Sequence, residues 1–210
     1  MTLSRISLIF ILTFSLASCS KKHEGTLRNQ SIRPLVKNEI TKLNSAVIDA
    51  LKNKDQKKLT DLMTADLRAS VNETLTPFLE QTSSIIKSKG FSAVDEYHTV
   101  KQEAQNDVTV ISGNETDNDY IIQYHSPSEE SFVSILEPKR DGDRYLVTTF
   151  YTRVDDQWRL NTLQFGRYTI SGFTAPELFR MAEKEGGKDH LIPAINHMVL
   201  SNTCMTPAEN

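Results

Sequence analysis

The sequence lacks the features that identify nucleic-acid-binding proteins and most enzymes. Its 24 Lys and Arg stand against 27 Asp and Glu, without a basic stripe, so nucleic acid is not an expected partner. It contains no phosphate-binding glycine loop, no Gly-x-Ser-x-Gly turn and no Cys-x-x-Cys pair, and its five histidines are scattered. We therefore expect no cofactor, no metal site and no catalytic residue that a motif would reveal.

A hydrophobic run long enough to cross a membrane is also missing. The most apolar stretch, residues 6–16, covers eleven residues, whereas a spanning helix needs about 20. Arg5 is the only charge among the first twenty residues, and polar residues begin at Ser20. A basic start, a short apolar core and small residues before a cleavage site are typical of a secretory signal. The sequence predicts a signal peptide over residues 1–18.

Only two cysteines are present, and the first ends the apolar stretch. Leu16-Ala17-Ser18-Cys19 resembles the lipobox of bacterial lipoproteins at all four positions. The resemblance implies transfer of a lipid to the Cys19 thiol, cleavage before Cys19 and acylation of the new amino terminus. Two or more acyl chains anchor a protein stably. We therefore expect an envelope lipoprotein whose partner at Cys19 is a membrane and whose Cys204 stays unpaired.

The residues after Cys19 bear on which membrane holds the anchor. Ser20 stands where an Asp would resemble an inner-membrane retention signal, so the outer membrane of a Gram-negative bacterium is favoured. The leaflet and the side of the membrane stay open. Residues 19–31 are polar and lack periodicity, and they are predicted to form the lipidated cysteine and a flexible tether.

In the first half of the chain after the predicted tether, apolar residues recur at helical spacing. A helix is predicted to start near Pro34, where proline is tolerated in the first turn, and to stop at residues 53–55. Asp55 would cap a second, short helix, and a third would run from Asn72 to Lys87. The apolar stripe assigned to the first helix consists of Leu35, Ile40, Leu43, Val47, Ile48 and Leu51.

From Val94 onward the apolar period changes to that of strands. Successive runs rich in β-branched and aromatic residues are separated by turn signals, without helices between them, which predicts an antiparallel sheet. In the last run Trp158 and Leu160 alternate with polar residues, but Leu163 and Phe165 are out of phase by one, which indicates a bulge. Helices first and an antiparallel sheet afterwards give an α+β fold class.

After Gly172 the chain returns to helical spacing. Thr174 is a good helix cap with Pro176 in the first turn, the glycines at 186 and 187 end that helix, and Asp189 opens another. A C-terminal helical hairpin over residues 173–203 is predicted to dock on the domain, followed by a tail over 204–210.

Two segments of the body resemble the nuclear-transport-factor-2-like superfamily. Residues 50–63 resemble its first helix pair, and the hairpin Val154-Asp155-Asp156-Gln157-Trp158-Arg159-Leu160 resembles its final strand pair. The resemblance implies a cone-like domain over residues 32–172, in which helices pack on a curved antiparallel sheet. A cystatin-like or lipocalin-like sheet is the competing shape, but the leading helices argue against both.

The open end of such a cone would be a binding site. The leading hypothesis is a non-catalytic envelope lipoprotein that binds a small hydrophobic ligand, a peptide or an envelope protein in this cavity. One alternative is a small periplasmic enzyme of the isomerase- and dehydratase-like branch, in which Asp119 with neighbouring Tyr and His side chains would move protons. Another is an assembly module that docks through the C-terminal hairpin. The ligand-binding candidates are Tyr97, Tyr120, Tyr124, His125, Tyr151 and Trp158.

Overall fold

Among the described residues, four α-helices precede every strand except the first, and two follow the last strand. The computed structural model describes residues 24–71, 73–86, 90–113 and 116–205, so the predicted lipobox and signal peptide lie outside the described residues. The elements in chain order are β1 Gly25–Arg28, α1 Pro34–Asn53, α2 Gln56–Leu62, α3 Ala65–Ser70, α4 Leu75–Ile85, β2 Phe91–Val100, β3 Asn106–Ile111, β4 Ile121–Ser126, β5 Glu130–Pro138, β6 Tyr145–Val154, β7 Gln157–Arg167, α5 Ala175–Gly186 and α6 Leu191–Met205.

The first helix follows the predicted pattern with one exception. Pro34 stands in the first turn, and Lys54 ends the helix in the left-handed conformation, where its N–H bonds the carbonyls of Ala50 and Leu51. Ile40 and Leu51 are buried as predicted, but Leu35 is 80% exposed. Val36 takes the inward position, because the buried face follows a 36, 40, 44, 47, 51 spacing.

Side-chain caps delimit the next helices. Asp55 accepts a hydrogen bond from the Lys58 N–H, which confirms the predicted cap of α2. α3 was not predicted; Thr64 caps it through the Leu67 N–H. α4 ends at Ile85, and both predicted ends of that helix, residues 72 and 87, fall outside the described residues.

The strands confirm the α+β prediction. Five of them form an open antiparallel sheet in the order β1-β2-β5-β6-β7, and β3 and β4 pair separately as a hairpin. β1 lies within the segment predicted to be tether, and its residues pair with β2 from Gly25 opposite Val100 to Arg28 opposite Tyr97. The predicted bulge is confirmed, because Phe150 pairs with Thr162 whereas Tyr151 pairs with Leu160.

Each face of the five-stranded sheet is covered by a different layer. The helix-facing side packs Phe132, Leu136 and Tyr151 against α1, α2 and α4. The hairpin-facing side packs its side chains against the β3–β4 hairpin, through Tyr97, Val133, Ile135 and Phe150 of the sheet and Val108, Val110 and Ile122 of the hairpin. Strand alternation therefore sends neighbouring residues of β5 and β6 into two separate cores.

The C-terminal helices pack on each other and meet the sheet at its β7 edge. Thr174 and Glu177 form a capping box at the start of α5, which confirms the predicted cap. Leu178 of α5, Cys204 of α6 and Ile170 form a small apolar cluster of their own. No helix in the described part of the chain is long and apolar enough to cross a bilayer.

Candidate ligand-binding groove

A groove of about 790 Å³ lies between the hairpin-facing side of the sheet, the loop that leads into β4, and the C-terminal helices. Its apolar lining comes from β4, β5, β6, α5 and α6, and the strands and the C-terminal helices are far apart in the sequence, so only the fold brings them together. The sheet provides the floor and the other elements provide the walls; the apolar lining includes Ile122, Ile135, Leu146, Phe150, Phe179 and Cys204.

Polar groups concentrate in the loop that leads into β4. Asp117, Asp119 and Tyr120 all line the groove, and Arg180 of α5 forms an ion pair with Asp117. The Ser112 hydroxyl donates to the Asp119 carboxylate at 2.8 Å and accepts from the Tyr120 N–H at 3.0 Å. The groove therefore combines an apolar body with a hydrogen-bonded polar rim, a composition typical of small-molecule sites.

Asp95 is the buried carboxylate of this region, with 4% of its surface exposed. Arg28 donates from Nε at 3.1 Å and from Nη2 at 2.7 Å to its Oδ1, which also accepts from Asn29 Nδ2 at 2.8 Å. The Tyr120 hydroxyl donates to Oδ2 at 2.5 Å, and the Tyr97 and Tyr120 hydroxyls are 2.9 Å apart. We call these contacts the Asp95 network. They connect β1, β2 and the loop that leads into β4, which we call the β4 loop.

The electrostatics of the Asp95 network favour a permanent charge. Burial alone would raise the pKa of Asp95, but hydrogen bonds from Tyr120, Asn29 and Arg28 outweigh it and lower the pKa below its usual value. Burial and the bond to Asp95 raise the pKa of Tyr120. The carboxylate therefore stays ionised at neutral pH and the Tyr120 phenol stays protonated.

Comparisons with family models, with curated proteins and with solved structures found no match.

Three of the candidate residues lie in the layer between the sheet and the β3–β4 hairpin, with Tyr97 on the sheet, Tyr120 in the loop before β4 and Tyr124 on β4. Tyr97 and Tyr120 belong to the Asp95 network, and Tyr120 also lines the groove. The Tyr124 hydroxyl is 2.9 Å from Ser131 Oγ, and the Tyr124 ring packs on Phe150. Burial raises the pKa of Tyr97 and of Tyr124, so both are neutral hydrogen-bonding groups.

The other three candidates lie elsewhere. Tyr151 is on the helix-facing side, where its hydroxyl donates to Asn44 Oδ1 at 2.8 Å. Trp158 is on the same side and packs edge-on against His98 and Phe132. His125 is on the exposed face of the hairpin, with Nδ1 at 3.1 Å from Asp107 and Nε2 at 2.9 Å from Gln105. The six candidates are therefore not brought into one cavity.

The helix-facing side carries a second buried polar pair. His98 Nε2 lies 2.9 Å from Glu130 Oε1, and both side chains are almost fully buried. Arg153 approaches the other oxygen of Glu130 at 3.6 Å and lies over the Trp158 ring. These contacts link β2, β5, β6 and β7, and none of the four residues lines the groove.

Among the residues whose positions are described, no group of three or more His, Cys, Asp or Glu side chains is arranged to hold a metal ion.

The residues that organise the groove were missing from the sequence prediction. Arg28 and Asn29 fall in the predicted tether, and Asp95 is not among the predicted site residues. A signal existed for the latter, because Asp95 and Glu96 stand side by side inside a strand, where acidic residues are disfavoured. Two adjacent acidic residues in one strand point to opposite faces, so each face must supply a cationic partner. Arg28 forms an ion pair with Asp95, and Lys37 forms one with Glu96.

Proposed function

We propose that this chain is a membrane-anchored envelope lipoprotein that binds a small apolar molecule, without transforming it, in the groove between the sheet, the β4 loop and the C-terminal helices. The observation that carries the proposal is the groove itself. Its volume of about 790 Å³ falls within the ~300–1,000 Å³ typical of small-molecule sites. Transfer of an apolar ligand from water onto such a surface is favourable in itself.

The polar rim of the groove supports a role in selecting which ligand binds. Tyr120 and Asp119 are held in place by Ser112 and by the Asp95 network, so their orientation does not have to be established when a ligand arrives. Preorganised polar groups at the end of an apolar site fix the orientation of a ligand at low entropic cost. The proposed ligand therefore has an apolar body and one end that hydrogen-bonds.

Protonation states favour binding over the enzyme alternative. The enzyme alternative names Asp119 beside Tyr120, but the carboxylate that the Tyr120 hydroxyl contacts is that of Asp95. The pKa of Asp95 is lowered and that of Tyr120 is raised, so neither group changes its protonation state near neutral pH. A general acid or base works best when its pKa lies near the working pH.

We include in the same proposal the two finer features of the predicted architecture, namely the cone-like shape and the docked helical hairpin. A cone-like arrangement of helices and sheet, with α5 and α6 docked as a helical hairpin, would leave the groove covered on one side by α5. The packing of α5 on α6 and the apolar cluster around Leu178 support this description.

The binding proposal predicts that a charge in the groove wall weakens ligand binding. Phe179 lines the groove with 43% of its surface exposed, so Phe179→Asp removes an apolar contact without opening a buried core. We expect the dissociation constant of an apolar fluorescent dye to rise at least ~10-fold, which corresponds to about 1.4 kcal/mol. Dye titration of the purified chain measures it.

Leu35→Asp is the matched control, because Leu35 is apolar, 80% exposed and situated on α1 away from the groove. It should leave dye affinity unchanged. Absence of saturable dye binding by the parent chain, or equal weakening by both variants, would refute the groove as a ligand site.

The anchor proposal rests on residues 16–19 and is tested separately. In Cys19→Ser the thiol that would accept the lipid is replaced by a much weaker nucleophile, so we expect loss of acylation and retention of the signal peptide. Mass spectrometry of the N-terminal peptide and fractionation of cell envelopes measure both effects. Unchanged processing and unchanged membrane association would contradict lipidation, and sucrose-gradient fractionation of the parent chain tests the outer-membrane assignment.

A further inference from the structure

The outward face of α6 exposes an unusual amount of apolar surface. Five large aliphatic side chains on this one helix are between 44% and 75% exposed, namely Leu191, Ile192, Ile195, Met198 and Val199. They form the outer α6 face. Isolated exposed apolar residues are normal on protein surfaces, whereas a contiguous patch marks an interaction site.

The opposite side of α6 already has its partners. Ala194 faces Gly186 of α5, and the Ser201 hydroxyl donates to the Ala175 carbonyl at 2.8 Å. Cys204 belongs to the buried cluster with Leu178. The inward positions 194, 197, 201 and 204 recur at helical spacing, so the apolar residues of the outer face are not needed for packing among the residues that the structure describes.

The outer α6 face carries no charge that would select a complementary charged partner. Between Leu191 and Met205 there is no Asp, Glu, Lys or Arg, and His197 is the only titratable side chain apart from Cys204. Helices that lie on membranes carry Lys and Arg on their polar face, and α6 has neither. The centre of a protein–protein interface, in contrast, is depleted of charged residues.

The arrangement of the outer face suits an identical helix. Ile192, Ile195 and Val199 follow an i, i+3, i+7 spacing, so they form one line along α6. A two-fold axis places such a line against itself, and since the line is uncharged no like charges meet. Two-fold symmetric dimers are the commonest soluble oligomers.

The exposed area of the outer α6 face is consistent with binding of a second copy of this chain. At about 100 Å² for each of the five side chains, complete burial in two copies would remove at most ~1,000 Å² in total, which reaches the lower limit for a specific interface. From the exposure, the absence of charge and the area, we infer that the outer α6 face binds the same face of a second copy of this chain. This inference does not depend on the groove or on its ligand.

Cross-linking in intact cells tests the dimer with the full chain. Two differently tagged copies are co-expressed with Ile195→Cys and treated with a short bis-maleimide reagent. The buried Cys204 thiol, whose pKa burial raises, is a poor competitor for the reagent. We expect a product of twice the chain mass that carries both tags, at a yield at least ~10-fold above that of the chain without the added cysteine.

Two further variants make the result specific. Leu35→Cys places a thiol on α1 at a position that is 80% exposed, against 61% for Ile195, and it should give at most one-tenth of the product. Adding Ile192→Glu to Ile195→Cys puts a charge at a 75% exposed position, where we expect folding to be unaffected, and should lower the yield at least ~10-fold. Equal yields from Ile195→Cys and Leu35→Cys, no product of dimer mass, or a product that carries one tag with a different protein would overturn the inference.

Discussion

Asn44 is the polar centre of the helix-facing core, although α1 is otherwise apolar on that side. Its amide donates to Ser134 Oγ at 2.9 Å, and its Oδ1 accepts from Thr149 at 3.0 Å and from Tyr151 at 2.8 Å. One side chain therefore satisfies hydroxyls on two neighbouring strands, and it holds α1 in register with β5 and β6.

Asn44→Ala should lower the free energy of unfolding by about 3 kcal/mol, because three buried hydroxyls lose a partner and each unsatisfied group costs roughly 1–3 kcal/mol, partly offset by relaxation. Urea denaturation measures it. Asn38→Ala removes an exposed amide from the same helix and should change stability little. A loss no larger than that of the control would mean that the buried hydroxyls find other partners.

The pKa of Asp95 makes stability depend on pH in a defined direction. Its folded pKa lies below the unfolded value of about 3.9, so its contribution is complete above about pH 5 and is lost as pH falls through the folded pKa. Asp95→Asn should lower the free energy of unfolding by about 2 kcal/mol at pH 7 and flatten the profile between pH 5 and pH 3.

Urea denaturation at several pH values tests this expectation. Asp61→Asn is the control, because the pKa of Asp61 is also lowered, by Lys57, but that pair is exposed and screened by solvent. If the free energy of unfolding of the Asp95 variant still fell with pH as steeply as that of the parent between pH 5 and pH 3, carboxylates other than Asp95 would cause the dependence.

At the scale of elements, local signals predicted the helices well. Thr174 with Pro176, and Asp55, are capping signals that act within one turn, so the sequence alone locates the starts of α5 and α2. β1 could not be found in this way. Four residues of mixed polarity have no period of their own, and they form a strand because β2 offers an edge and Asp95 offers Arg28 an ion-pair partner.

The contact between α5 and the β4 loop is the element-scale feature most open to test. Arg180 and Asp117 form an exposed ion pair, and such pairs contribute ~0–1 kcal/mol. Arg180→Asp should therefore leave global stability nearly unchanged, but it should speed amide hydrogen exchange in residues 116–120 by up to ~5-fold.

Exchange rates measured by mass spectrometry should return to the parent values in the double variant Arg180→Asp with Asp117→Arg. Lys184→Asp changes the same charge on an exposed position of α5 and should have no effect on the loop. Failure of the double variant to restore protection would show that the ion pair does not hold the loop.

At the scale of the molecule, the fold class could be predicted but the location of the site could not. The sequence placed six aromatic and histidine residues around one cavity, since amphipathic side chains on strands are the usual lining of such a site. Alternation sends Tyr151 to the helix-facing core and Phe150 to the groove, and which face meets which layer depends on where the β3–β4 hairpin folds. The face that each layer covers is set by long-range contacts, for which the local sequence carries no signal.

The position of β1 also determines how the domain would transmit force. Five residues separate Cys19 from Gly25, so in an anchored chain β1 begins within about 20 Å of the lipid. A pull between the bilayer and the domain would act along β1 and load its hydrogen bonds to β2 together, in shear, with the Arg28–Asp95 ion pair at the far end of the strand. The residues that shape the groove would then also be the attachment that bears mechanical load.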